Sequence, residues 1–166
     1  MIVPSRSWSV RQWVCLLLAG FVLAFFWDTL LTNQVLALRD TAVSFLPWQD
    51  VVGQALREGE LPLWIHFSGC GQPFLANPQV ATYYPPNVIF HVVPRVLALK
   101  VWLAMHLFVA GISFYGLLRH WRLDMSPAVV GAVAFAFGTY TITRLEFLPI
   151  LATVAWCPLT LYLTRD

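Results

Sequence analysis

Charge is scarce in this chain of 166 residues: ten Lys and Arg and eight Asp and Glu make up 11% of it, for a formal net charge of +2. A soluble domain is about a quarter charged and about half apolar. Here apolar residues reach 59% and mean hydropathy is +0.70, more apolar surface than a water-soluble domain of this length can hide. The cations form no run or stripe, so the electrostatic footprint of a nucleic-acid binder is missing. Cysteine is equally thin. Cys15, Cys70 and Cys157 are far apart and two of them stand in apolar stretches, a spacing that predicts neither a disulfide framework nor a zinc site. No P-loop, dinucleotide fingerprint, serine-hydrolase elbow or zinc-protease motif occurs. The long apolar run is what the chain has in excess, and such runs call for lipid as solvent.

Four stretches read as membrane helices, at about 13–31, 96–118, 128–143 and 147–163. Crossing a hydrocarbon core of about 30 Å takes about 20 residues. The first two stretches meet that length; the last two are shorter and share a tight turn at 144–146, as a helical hairpin would. Pro127 suits the first turn of the third helix. The first stretch, unbroken from Trp13 to Trp27, reads as a retained anchor. A cleaved signal is the competing reading, with Arg6 and Arg11 as its basic region and Ala37 as a conceivable cleavage point. The apolar region is long for a signal, and no clean small-x-small site follows it closely.

Lys and Arg in the short connections set orientation. With four crossings, Arg6, Arg11, Arg119, Arg122 and Arg165 fall on one face, and Arg39, Arg57, Arg95 and Arg144 on the other. The expectation is an all-α integral membrane fold, a single domain over 1–166, with both termini cytoplasmic and a large outer loop at 32–94.

That loop carries Asp40, Asp50, Glu58 and Glu60. Residues 48–61, after Pro47, read as a short helix ended by Gly59, with Val51, Val52, Ala55 and Leu56 on its apolar face. It is expected either to lie in the membrane interface or to pack on the spans. From 61 to 87, prolines at 62, 73, 78, 85 and 86 exclude a long helix. Trp64, Phe67, Phe74, Tyr83 and Tyr84 alternate there with His66, Gln72, Asn77, Gln79 and Asn87. Aromatic planes beside amides suit a sugar or another neutral polar ligand; an aromatic belt at headgroup level is the other reading.

The run from Arg39-Asp40 through Leu46-Pro47-Trp48, Leu61-Pro62-Leu63-Trp64, Gly71-Gln72-Pro73-Phe74, Ala76-Asn77-Pro78-Gln79 and Tyr84-Pro85-Pro86-Asn87 resembles the YfhO-like bacterial membrane proteins. The stretches Met105-His106-Leu107, Ala134-Phe135-Ala136-Phe137-Gly138 and Ala155-Trp156-Cys157-Pro158-Leu159 are similar to the same family in order and spacing. The likeness covers nearly the whole chain but only the N-terminal part of members that are considerably longer. It implies a fragment, a truncated product or a short paralogue, inactive by itself. Three positions differ: Ile65-His66 stands where Asn-Pro is usual, Cys70 separates two glycines, and Leu145-Glu146 replaces Gly-His. The family is in turn similar to membrane glycosyltransferases of the GT-C architecture. That likeness implies sugar transfer from a polyprenyl-phosphate donor, a bacterial plasma membrane location, and a carboxylate in the first outer loop, matched here by Asp40.

Such transfer needs a base for the acceptor hydroxyl and a holder for the leaving phosphate. Asp40 is the candidate base; the plain reading is that it solvates the loop or pairs with Arg39. Arg39 and Arg144 suit a phosphate through forked contacts, or are ordinary interfacial arginines. Glu146 offers a second carboxylate. Trp64, Gln72, Asn77, Gln79 and Tyr84 complete the candidate substrate site. A divalent metal on Asp40 and Glu146 has no spacing to support it, and no cofactor is expected. The partners expected are membrane lipid and a lipid-linked sugar donor. Asp28, near the outer end of the first span, is costly there unless wet or paired, with Lys100 as a possible partner. His106 is expected to hydrogen-bond to a neighbouring helix. The non-enzymatic alternative is a small multi-pass protein that binds lipid or assembles with other membrane subunits.

Overall fold

A computed structural model of the chain describes residues 9–32 and 39–164. Arg6, Ala37 and Arg165 of the sequence reading lie outside them. The described chain is mostly helical, with α1 (Val10–Leu31), α2 (Leu46–Arg57), α3 (Ile89–Val92), α4 (Arg95–His120), α5 (Met125–Phe137), α6 (Thr139–Thr143) and α7 (Leu148–Leu163). A two-residue hairpin, β1 (Trp64–Ile65) with β2 (Gln72–Pro73), is antiparallel, with Ile65 opposite Gln72. Among the described residues three segments are long and apolar enough to cross a bilayer: Gln12–Leu31, Arg95–His120 and the composite run Met125–Glu146. The expected fourth span is the 16-residue α7, about 24 Å long at 1.5 Å per residue and so shorter than a hydrocarbon core.

α4 is the axis of the bundle and packs against α1, α5 and α7. α1 and α5 run antiparallel to it, and α7 runs parallel to it. Lys100 near its start donates to the Thr32 carbonyl at the end of α1 at 2.6 Å, while Cys15 near the start of α1 shares a cavity with Arg119 and with Tyr162 near the end of α7. One half of the core gathers Phe26, Leu99, Trp102, Leu103, Leu148 and Leu151, and the other Val14, Leu18, Leu118, Ala128 and Ala132. Between them Ala110, Ala136 and Ala155 form a layer of small side chains, which lets α4, α5 and α7 approach closely.

Two breaks shape the bundle. α4 ends in a Schellman motif, with Arg122 at φ 64, Leu123 N–H donating to Leu118 C=O at 3.2 Å and Arg122 N–H to Arg119 C=O at 3.1 Å. Leu118 and Leu123 pack in the same cluster, closing the turn into α5. The third expected span, continuous in sequence, is interrupted at Gly138, whose ψ of 153° is extended. A Cβ at Gly138 would stand 2.5 Å from the Ala134 carbonyl oxygen. The hydroxyl of Thr141 donates to the Phe135 carbonyl at 2.7 Å, satisfying a group freed by the break.

Outside the bundle, α2 ends as Gly59 predicts, with φ 75 at that glycine and Glu60 N–H donating to Ala55 C=O. Its buried face differs from the expected one. Gln49, Val52 and Gly53 are buried, whereas Leu56 is exposed. The cause is the loop's own small core: Ile65, Phe74 and Val80 pack on Val52, and the Gln49 amide donates to the Val80 carbonyl at 2.9 Å.

Candidate functional site

Asp40 stands at the entry to a π-helical turn, Thr41–Phe45, a wider turn often found at functional sites. Thr41 is buried, and its hydroxyl donates to the Glu146 carbonyl at 2.8 Å. This bond, across 105 residues of sequence, ties the start of the segment between α1 and α4 to the 3-10 turn Arg144–Glu146 ahead of α7. As a result Asp40, Gln79 and Glu146 line one cavity of about 250 Å³, together with Ser44, Trp48 and residues 147–150. Asn77 orients the approach of Gln79 through a side-chain oxygen that accepts from the Gln79 N–H at 2.9 Å.

A second cavity, of about 360 Å³, shares Phe45 and Pro149 with the first. Its other walls include Tyr84, Asn87, Trp102, Thr153 and Trp156, none of which is ionised. A chain of hydrogen bonds holds it. His106 Nδ1 lies 2.7 Å from the Trp102 carbonyl; a carbonyl only accepts, so Nδ1 carries the ring proton. Nε2 then accepts from the Tyr84 hydroxyl at 2.6 Å, and the Tyr84 oxygen accepts from the Trp156 indole N–H at 2.5 Å. Trp102 stacks on His106 with centroids 3.5 Å apart and donates to the Asn87 side-chain oxygen at 2.9 Å. The Asn87 amide donates in turn to the Ala81 carbonyl. Burial pushes the Tyr84 phenol pKa up, and the Trp156 N–H offsets part of that rise. The hydroxyl therefore stays protonated at neutral pH.

The remaining candidate residues lie elsewhere. Trp64, Gln72 and Asn77 line neither cavity. Trp64 covers Gly71, where an added Cβ would meet its Nε1 at 2.8 Å, and the Gln72 amide donates to the Ser68 hydroxyl. Arg39 is exposed at φ 33. The Arg144 guanidinium lies over the rings of Tyr140 and Phe147, 5.0 and 5.9 Å from their centroids. Asp28 is exposed, and the partner found for Lys100 is the Thr32 carbonyl, where a cation meets the negative end of the α1 dipole. Among the described residues no three His, Cys, Asp or Glu side chains gather as a metal-binding group.

Sequence reasoning placed Tyr84 and His106 separately and missed Trp102, Asn87 and Trp156 as their companions. The usable signal was the four-residue spacing of Trp102 and His106 on one face of an apolar helix. No family model, curated protein or solved structure matches the chain.

Proposed function

We propose that this chain is a segment of a GT-C-like membrane glycosyltransferase, acting on polyprenyl-phosphate-linked sugars at the outer face of a bacterial plasma membrane. The observation that carries the proposal is the shared cavity of Asp40, Gln79 and Glu146, which has the walls Phe45 and Pro149 in common with an aromatic cavity that has no ionised wall. Asp40 takes the proton of an acceptor hydroxyl as that oxygen attacks the anomeric carbon of the donor, and the polyprenyl phosphate departs with the bonding pair. Gln79 offers a neutral amide to sugar hydroxyls, and Tyr84 and Trp156 offer ring faces for stacking. Arg39, exposed beside Asp40, is the cation for the leaving phosphate.

In this reading α1, α4, the run 125–146 and α7 are all membrane-inserted, with both termini cytoplasmic. Arg119 and Arg122 in the short connection between α4 and α5 support that orientation. The starts of α1 and α5 and the end of α7 lie at the same end of the bundle as that connection.

The test is transfer of radiolabelled sugar from a polyprenyl-phosphate donor in native membranes. Asp40→Asn is expected to lower the rate at least about 100-fold, in the range of a general base, without changing the amount of folded protein. Retained transfer overturns the reading. One observation favours the second reading, assembly with other membrane subunits. An open apolar groove of about 610 Å³ runs between α1 and α5, lined by Trp13, Leu16, Leu17, Met125, Val129 and Val130.

A further inference from the structure

The largest of the cavities described lies at the other end of the bundle, where α1, α4 and α7 meet. It measures about 670 Å³ and is lined by Cys15, Ile112, Ser113, Tyr115, Gly116 and Leu159, with Arg119, His120 and Tyr162 at its mouth. Charge is one-sided there. Arg119 is permanently cationic, Arg122 follows three residues on, and among the described residues no carboxylate lines the cavity. Arg119 uses one N–H to cap the Leu123 carbonyl at 2.6 Å, which leaves most of its forked donors for an anion. His120 stands edge-on to the Tyr162 ring, at 5.3 Å between centroids.

Deeper in, the walls become largely apolar. Ser113 is buried, and its hydroxyl lies 3.1 and 3.0 Å from the Ala110 and Ala155 carbonyls, so it presents no unmet polar group to the cavity. Gly116 is the opening itself: a Cβ built there meets nothing within 4 Å. Glycine in mid-helix costs roughly 0.5–1 kcal/mol relative to alanine, and no neighbour of Gly116 needs the space. A cationic mouth above an apolar slot, at the end of the bundle carrying Arg119 and Arg122, is complementary to a lipid with an anionic phosphate and an acyl chain.

We propose that this cavity is a binding site for one anionic phospholipid of the cytoplasmic leaflet, with its phosphodiester at Arg119 and His120 and an acyl chain along Gly116 between Ile112 and Leu159. The site rests on the membrane reading of the chain and is independent of sugar transfer, so loss of either leaves the other testable.

Native mass spectrometry of the detergent-solubilised chain, with added phosphatidylglycerol, phosphatidylcholine or inorganic phosphate, tests it. The expected result is retention of one phosphatidylglycerol at least about tenfold over phosphatidylcholine, with no displacement by inorganic phosphate. Gly116→Leu fills the slot and is expected to abolish that retention, as is the double change Arg119→Gln with His120→Gln at two exposed positions. Equal retention of the two lipids overturns the proposal. So does phosphatidylglycerol binding that survives Gly116→Leu in a protein with unchanged elution volume and tryptophan fluorescence. Displacement of the lipid by inorganic phosphate also overturns it, because the site would then recognise free anion rather than lipid. If Gly116→Leu fails to fold, the double variant decides alone.

Discussion

α1 and α4 are the two longest helices, and the more apolar of them is the less buried. Over their most apolar windows, 22% of α1 lies inside the structure against 56% of α4. α4 carries Lys100, His106 and Ser113, all of them buried, whereas α1 between Trp13 and Trp27 has no charged residue and no polar group other than the indoles at its two ends and the weakly polar Cys15 thiol. In lipid the outward face of a helix must be apolar, while a face turned inward can hold polar groups if they find partners. The polar side chains of α4 find those partners in the Thr32 carbonyl, Tyr84 and the carbonyls of Ala110 and Ala155. Polar residues within an apolar helix therefore mark the protein-facing element, and hydropathy by itself ranks the two helices in the reverse order of their burial.

The sharpest way to break this contrast is at the centre of α4. Trp102 is fully buried, stacked on His106 and bonded to Asn87. Trp102→Ala is expected to lower stability by about 3–5 kcal/mol, read from thermal or SDS unfolding in detergent. A loss below about 1 kcal/mol would mean that α4 is not the axis of the fold.

Next in size is a paired test within α1. Leu18 is 1% exposed and its methyl groups approach Gly111 of α4, while Leu23 is 58% exposed. Leu18→Ala should cost about 2–5 kcal/mol and Leu23→Ala no more than about 0.5 kcal/mol, by the same measurement. Equal costs would remove the division of α1 into an inner and an outer face.

Tyr84→Phe is a smaller perturbation, expected to cost about 1 kcal/mol because it leaves His106 Nε2 and the Trp156 N–H without their partner. Combining it with His106→Leu should cost less than the sum of the two single changes, since the second change removes a group the first has already orphaned. Strict additivity would sever the link between the segment preceding α4 and α4 itself.

The smallest effect is in the segment between α1 and α4. His91 packs against Gly53, where a Cβ would come within 2.9 Å of its Nδ1. Burial first, then the charge of Arg57, hold its pKa below the ordinary 6.5, against the opposing pull of Asp50. The fold thus favours neutral His91 while the unfolded chain takes up the proton more readily. Its contribution is complete above about pH 6.5 and declines as pH falls from there toward the lowered value. The unfolding midpoint should drop between pH 7.5 and 5.5, and less so in His91→Gln. Identical drops would remove His91 from the account.

Much of the fold was legible because a long apolar helix declares itself in a window of about 20 residues. The apolar blocks, the turn at Arg144–Glu146, the end of α2 at Gly59 and the irregular proline-rich segment each follow from local chemistry. The buried face of α2 was not legible, because Gln49 is buried only when Val80 arrives to accept its amide hydrogen. Nor was the break at Gly138, since an isolated glycine is tolerated within a helical pattern.

Composition and periodicity by themselves determined that this is an apolar, mostly helical chain with helices long enough to cross a membrane, and they named Asp40 and Glu146 as acids at one end of it. Only the tertiary structure decided that the two acids line one cavity, that Tyr84 reaches His106, and that a slot opens beside Gly116. Each of these depends on a contact between residues far apart in the chain, such as Thr41 with Glu146, and a local pattern carries no information about which distant group will complete a hydrogen bond or leave a space unfilled.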